Sequence, residues 1–310
     1  MTRNHVPENP ADRLSRRSAI GWLAGTSAGI TVAAAGLGMS RDAVQATTSL
    51  VGSSVVTTQE GRNMTDATPT AASGPLTVVL VHGAFADASG WNGVVERLQA
   101  AGVPATAPPN PLRGITHDAA YIASRLNQIP GPVLLVGHSY GGAVITNAAT
   151  NATNVVGLVY VAAFAPDEGE TGLEIEGNSR DSIPFTALLP LQYPTGKGTE
   201  TAVEFAINPA NFHEAFAADL PMAQTSVMAA TQRPVSELAF SEASGPPAWK
   251  SLPSWAVVST GDKTIGSDAV RSMAERAGAT ITEVEGSHAI MISQPQAVTD
   301  VILTAVAAVS

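Results

Sequence analysis

The run Val133-Leu134-Leu135-Val136-Gly137-His138-Ser139-Tyr140-Gly141-Gly142-Ala143-Val144-Ile145 decides the fold of this 310-residue chain. Its first four residues are all apolar, which predicts a strand covered on both faces, as strands are inside parallel sheets. The residues from Gly142 open a helix. Between the two lies Gly-x-Ser-x-Gly. A sharp strand-to-helix turn strains the backbone of its central serine and leaves no room for side chains on its neighbours, and the glycines supply that room. The Ser139 hydroxyl then projects above the sheet, beside the positive end of the following helix. In this setting Ser139 is a candidate nucleophile rather than part of an ordinary glycine-rich turn.

Outward from the turn, short apolar runs alternate with amphipathic segments, which predicts βαβ units and a parallel sheet. Strands are expected over residues 76–81, 103–107, 133–136, 155–161, 255–259 and 279–284. Helices are expected over 91–101, 117–128, 140–150, 267–276 and 294–309. Residues 166–253 break this rhythm with many prolines, isolated apolar helical fragments and no convincing strand. An interval that long between two strands reads as a small helical cap over the sheet edge, not as a loop. The folded domain is expected over 75–310, preceded at 47–74 by a flexible linker rich in Ser, Thr, Gly and Gln.

The first 46 residues carry a different message. Arg13, Arg16 and Arg17 precede a weakly hydrophobic run from Ala19 to Met39, and Val44-Gln45-Ala46 offers a small-residue cleavage site. Ser15-Arg16-Arg17-Ser18-Ala19-Ile20 resembles a twin-arginine signal. The competing reading is a membrane anchor, since about 20 apolar residues can span a bilayer. The glycines from Gly21 to Gly38 weaken the hydrophobicity of the run and favour export. The expected location is therefore periplasmic or secreted, with membrane contact only in transit.

Composition closes off several functions. The chain is 45% apolar and 14% charged, enough to bury one large core. It has 16 basic and 26 acidic residues, a net charge of -10, and no Lys/Arg-rich stretch. It thus lacks the phosphate-neutralising surface that nucleic-acid binding requires. With no cysteine, disulfides, a thiolate nucleophile and cysteine-ligated zinc or iron–sulfur sites are all excluded.

A serine nucleophile on such a turn needs a base and a group to orient it, and these follow it in the chain as acid and then histidine. Only His213 and His288 come after Ser139. His213 falls inside the expected cap, whereas His288, in Glu285-Gly286-Ser287-His288-Ala289, lies just beyond the last strand and is the expected base. The acid should follow the preceding strand, which puts Asp262 of Thr260-Gly261-Asp262 in the required loop. Its competitor, Asp268, stands at the start of a helix, where the helix dipole already gives a carboxylate a structural purpose. Oxyanion donors are expected from the backbone N–H of Ala84, in His82-Gly83-Ala84-Phe85 at the end of the first strand, and of Tyr140. His82 and His138 read as supporting residues.

Taken together, Val78-Val79-Leu80-Val81-His82-Gly83-Ala84-Phe85, the Gly137–Gly142 turn, Gly261-Asp262 and Gly286-Ser287-His288 resemble the α/β-hydrolase superfamily. Within it they are most similar to serine carboxylesterases related to plant methyl-ester esterases and hydroxynitrile lyases. The resemblance covers about residues 75 to 310. It implies an α/β-hydrolase fold with six core, mostly parallel strands, helices on both faces and a small cap after the strand ending near Val161. It also implies nucleophile, acid and base roles for Ser139, Asp262 and His288, oxyanion donation by Ala84 and Tyr140, and no metal or organic cofactor. The implied reaction is hydrolysis of small, mainly apolar carboxylic esters through an acyl-enzyme. The alternatives are a non-hydrolytic, lyase-like enzyme of the fold or a ligand-binding relative. Hydroxynitrile lyases of the group carry a lysine directly after the catalytic histidine. Here that position is Ala289, which disfavours the lyase. Dehalogenases of the fold use an aspartate nucleophile, which Ser139 excludes. In the cap, side chains such as Leu189, Leu191, Phe212, Phe216 and Met222 suggest either an apolar pocket or simply the core of the cap.

Overall fold

Six short segments lie side by side in the computed structural model, which describes residues 74–182 and 187–310. The signal expected at 1–46 and the linker up to Ser73 lie outside the described residues. The six strands are β1 (Thr77–Val81), β2 (Ala105–Thr106), β3 (Val133–His138), β4 (Val155–Val161), β8 (Ser254–Ser259) and β9 (Thr280–Val284). They form one sheet in the order β2-β1-β3-β4-β8-β9, and every pairing is parallel.

Alternate side chains along each strand feed two cores, as the two-residue period of a strand requires. Val79, Val81, Leu135, Leu158 and Tyr160 pack on one face, against α2 (Ile115–Leu126), α3 (Tyr140–Ala148) and α8 (Ser267–Arg276). Val78, Leu80, Leu134, Val136 and Val159 pack on the other, against α1 (Asn92–Ala100) and α10 (Pro295–Val309). Helices on both faces explain why β1, β3, β4 and β8 are almost continuously apolar, whereas the edge strand β9 carries Thr280, Thr282 and Glu283.

The second strand is shorter than expected. Proline 104 has no N–H to give a ladder, and Pro108 and Pro109 follow closely, so only Ala105–Thr106 pairs with β1.

The cap between β4 and β8 departs further from expectation. It is not purely helical: β5 (Leu188–Pro194), β6 (Thr201–Ile207) and β7 (Val235–Ser236) form a three-stranded antiparallel sheet. Pro190 and Pro194 argue against a strand at 188–194, but β5 is an edge strand, whose open side needs no N–H donor. Helices α4 (Gly172–Asn178), α5 (Pro209–Phe216), α6 (Met222–Thr231) and α7 (Leu238–Ser241) complete the cap. Phe212 and Phe216 are buried, whereas Leu189, Leu191 and Met222 are exposed. The apolar residues of the cap therefore divide between its interior and its outer surface. A short helix α9 (Ile290–Ser293) precedes α10.

Candidate active site

The parallel sheet brings β1, β3, β8 and β9 to one edge, and the residues of interest sit where these strands end. Ser139 follows β3 directly and caps α3 with φ 54° and ψ -128°. A non-glycine residue in this region is strained, and the strain is held by its surroundings. The Ser139 N–H donates to Val161 O at 3.3 Å, and its carbonyl accepts from Gly142 N at 2.9 Å and Phe164 N at 3.1 Å. The close approaches explain two glycines. A Cβ on Gly137 would lie 2.6 Å from Gly141 O, and one on Gly83 would lie 2.5 Å from the Cβ of Ser139. The loop after β1 is thus pressed against Ser139 itself.

Asp262 and His288 meet in the fully buried space beyond β8 and β9. His288 Nδ1 lies 2.8 Å from Asp262 Oδ2. The carboxylate accepts this bond, which puts the imidazole proton on Nδ1 and leaves the lone pair on Nε2. Nε2 is buried and has no hydrogen-bond partner among the described residues, so the Ser139 hydroxyl is not bonded to it. The other Asp262 oxygen accepts from Thr264 N at 2.8 Å and Ile265 N at 3.2 Å, which fixes the carboxylate. The Ser267 hydroxyl lies 3.2 Å from Asp262 N and 2.8 Å from Ser259 O, locking the loop to β8.

Asp268 has a different set of partners. It accepts from the Ser179 hydroxyl at 2.6 Å and Arg180 N at 2.9 Å in the cap. Partial burial raises its pKa, but these hydrogen bonds outweigh that effect and hold it at about 2. His213 lies on α5, with Nδ1 3.2 Å from the Thr225 hydroxyl. Of the two candidate pairs in the sequence, the structure joins His288 to Asp262.

Tyr140 is the first residue of α3, so its N–H has no acceptor within the helix. The N–H of Ala84 finds no acceptor among the described residues. Both flanking side chains are anchored. Tyr140 Oη donates to the fully buried Asp118 at 2.9 Å, and the same carboxylate takes the Arg113 N–H at 3.0 and 3.1 Å. Burial, and then the Asp118 charge, push the Tyr140 phenol well above its usual range, so it remains a donor. His82 accepts the Asn110 N–H on Nε2 at 2.9 Å and donates from Nδ1 to Gly83 O at 2.9 Å. Burial lowers its pKa from 6.5 to about 4, so this ring stays neutral and braces the turn that carries Ala84.

Several partners of the site had no visible signal in the sequence. The Ser259 hydroxyl lies 2.6 Å from Gly286 O and 2.7 Å from Ser287 O. Asp219, in the cap, accepts the Ser287 N–H at 3.0 Å as well as its hydroxyl. Phe216 stacks edge-on against the His288 ring, with centroids 5.1 Å apart. On α4, burial and then the Asp262 charge lift the Glu176 carboxyl to about 8.

A cleft of about 310 Å³ opens between cap and core. It begins one residue beyond Ala84, at Phe85, and is walled by Asp87 and Asn92, by Gln224 and Met228 of α6, and by Met291 three residues beyond His288. A hydrogen bond from the Ser89 hydroxyl, assisted by one from its N–H, keeps Asp87 below its ordinary pKa and hence ionised.

The parallel sheet, the strained serine turn and the His–Asp pair define a class of protein, and the family comparison agrees. The chain belongs to the alpha/beta hydrolase family, whose model matches residues 78–301. No curated protein sequence matches the chain. Among solved structures, polyneuridine aldehyde esterase is similar, with TM-score 0.64 at 20% identity, covering 75% of this chain and 99% of that one. A methylesterase from Arabidopsis has TM-score 0.62 at 21% identity, covering 75% and 99%. A pyrethroid hydrolase from Sphingobium faniae has TM-score 0.61 at 19% identity, covering 76% and 98%. At these identities the likeness is one of fold.

Proposed function

We propose that this protein is a serine hydrolase that cleaves small, neutral carboxylic esters. The observation that carries this reading is the His288–Asp262 hydrogen bond of 2.8 Å, which leaves Nε2 buried and without a hydrogen-bond partner among the described residues, in a ring whose centroid lies 4.7 Å from that of His138, the residue before Ser139. His288 takes the Ser139 proton as Oγ attacks the ester carbonyl, and Asp262 stabilises the imidazolium that forms. The N–H groups of Ala84 and Tyr140 receive the oxyanion. Protonated His288 then gives its proton to the leaving alcohol, forming an acyl-enzyme. Water activated by the same imidazole hydrolyses that intermediate. The esterases and hydrolases of similar fold support this chemistry by analogy.

The cleft is lined by neither Ser139 nor His288, but it starts at Phe85, next to Ala84, and read as the approach to the site it supports a substrate class. Phe85, Met228 and Met291 offer apolar contact, and the ionised Asp87 repels anionic esters. The Arg16-Arg17 signal supports export as the setting in which such esters are met.

Hydrolysis of a panel of short p-nitrophenyl esters tests the proposal. Ser139→Ala should remove activity by at least about 10⁴-fold without unfolding the protein. A variant that keeps most of its activity contradicts the assignment of Ser139. A folded wild-type protein that binds but does not turn over esters points to a ligand-binding relative.

A further inference from the structure

His138 is a fully buried histidine in the turn, and neither acyl transfer nor oxyanion binding uses it. Its Nε2 lies 2.9 Å from the carbonyl oxygen of His288. A carbonyl can only accept, so the His138 proton is on Nε2 and the lone pair on Nδ1. That Nδ1 is buried and has no hydrogen-bond partner among the described residues. A buried, unpaired polar atom lowers stability, and an apolar side chain of similar size would avoid the loss. Burial and the neighbouring His288 hold the His138 ring well below its usual pKa, so it stays neutral.

The bonds around His288 give this arrangement a purpose. Gly286 O and Ser287 O face the Ser259 hydroxyl on β8, and the Ser287 N–H is held by Asp219. On the other side, the Ala289 N–H donates to Phe216 O at 3.0 Å. The flanking residues are therefore tied to β8 and to the cap. Among the described residues, the carbonyl of His288 itself is tied only to His138, within the turn that carries Ser139. The two imidazoles stand with centroids 4.7 Å apart, and Phe216 packs edge-on against both rings.

We propose that His138 is a positioning residue for His288. Its Nε2–H ties the backbone of the base to the backbone of the nucleophile, so that one pentapeptide, Gly137 to Gly141, sets the placement of both reacting groups. The inference rests on the reading of Ser139 and His288 as nucleophile and base. An ordinary core residue would not give the pattern expected here: reactivity follows the presence of a donor to the His288 carbonyl rather than the stability of the fold.

The test uses the full chain with His138→Met, which fills the space without a donor, and His138→Gln, whose amide N–H can donate in its place. Each is labelled with an alkyl fluorophosphonate, in which Ser139 Oγ forms a bond to phosphorus, fluoride leaves and His288 takes the hydroxyl proton. The limiting labelling rate of His138→Met should fall by about 10-fold or more, as expected when reacting groups lose their alignment. Its half-saturating probe concentration should stay within about 2-fold, since binding of the probe is uniform to both states. In His138→Met the relief of the unpaired Nδ1 and the loss of the donor to His288 O oppose each other, so the Tm should shift by only a few degrees, and His138→Gln should recover part of the rate. In proton NMR, the downfield His288 Nδ1–H resonance should move or broaden in His138→Met. That readout does not depend on turnover. A wild-type protein that fails to label would remove Ser139 as nucleophile, and the resonance would still decide the tether. Labelling of His138→Met within about 2-fold of wild type overturns the inference. So does a rate loss matched by a fall in Tm that His138→Gln leaves unrepaired, or a resonance that does not move.

Discussion

The sheet edge and the cap are built on different terms. At the sheet edge, each functional candidate follows the end of a parallel strand and is fixed by backbone bonds: Ser139 after β3, Asp262 after β8 and His288 after β9. In the cap, a short antiparallel sheet and small helices leave Leu189, Leu191 and Met222 exposed. The cap nevertheless supplies Phe216 and Asp219 to the turn bearing His288, and Met228 and Gln224 to the cleft. The strand ends hold Ser139, Asp262 and His288, and the cap braces the turn of His288 and forms one wall of the cleft.

Substitutions should separate the two regions by size of effect. At the sheet edge, Asp262→Asn should cost about 10⁴-fold in kcat, because the amide leaves His288 without the partner that fixes its tautomer. Steady-state ester kinetics measure this, and a loss under about 10-fold would remove Asp262 as the orienting acid. In the cap, Met228→Trp narrows the cleft. It should lower kcat/KM by about 10-fold for bulky esters while sparing acetate, and equal effects on both would place the substrate elsewhere.

Asp268→Asn should have the smallest effect on turnover, within about 2-fold, because Asp268 holds Ser179 and Arg180 rather than His288. Its cost belongs to stability, up to about 1 kcal/mol for a carboxylate at a helix N-terminus. The folded pKa of about 2 lies below the unfolded value near 3.8. The contribution is therefore complete above pH 3.8 and is lost as the pH falls toward 2. Urea denaturation of wild type and variant should give curves that differ at neutral pH and converge in acid. A difference that persists undiminished well below pH 2 would assign the bond another origin.

The same contrast decides what could be read from the sequence. Strands covered on both faces leave continuous apolar runs, so β3, β4 and β8 were legible, as was the turn at Ser139 with its crowding glycines. The order of Ser139, Asp262 and His288 along the chain followed from the strands they terminate. The Pro104 region looked longer as a strand than its missing N–H allows. In the cap, Pro190 and Pro194 concealed β5, because proline is tolerated only where a strand edge is open, and edges are a property of the assembled sheet. The pairs His82–Asn110, Ser287–Asp219 and His138–His288 join segments far apart in the chain. No local pattern in one sequence encodes such pairings.

The most direct test of the central claim is to trap the acyl-enzyme. The protein is mixed with a slowly deacylating p-nitrophenyl ester, quenched in acid and digested, and the peptides are mapped by mass spectrometry. The acyl mass should appear on Ser139 alone and be absent in Ser139→Ala. Turnover with the acyl group on another residue, or with no acylated peptide under conditions where acylation outruns deacylation, would contradict it.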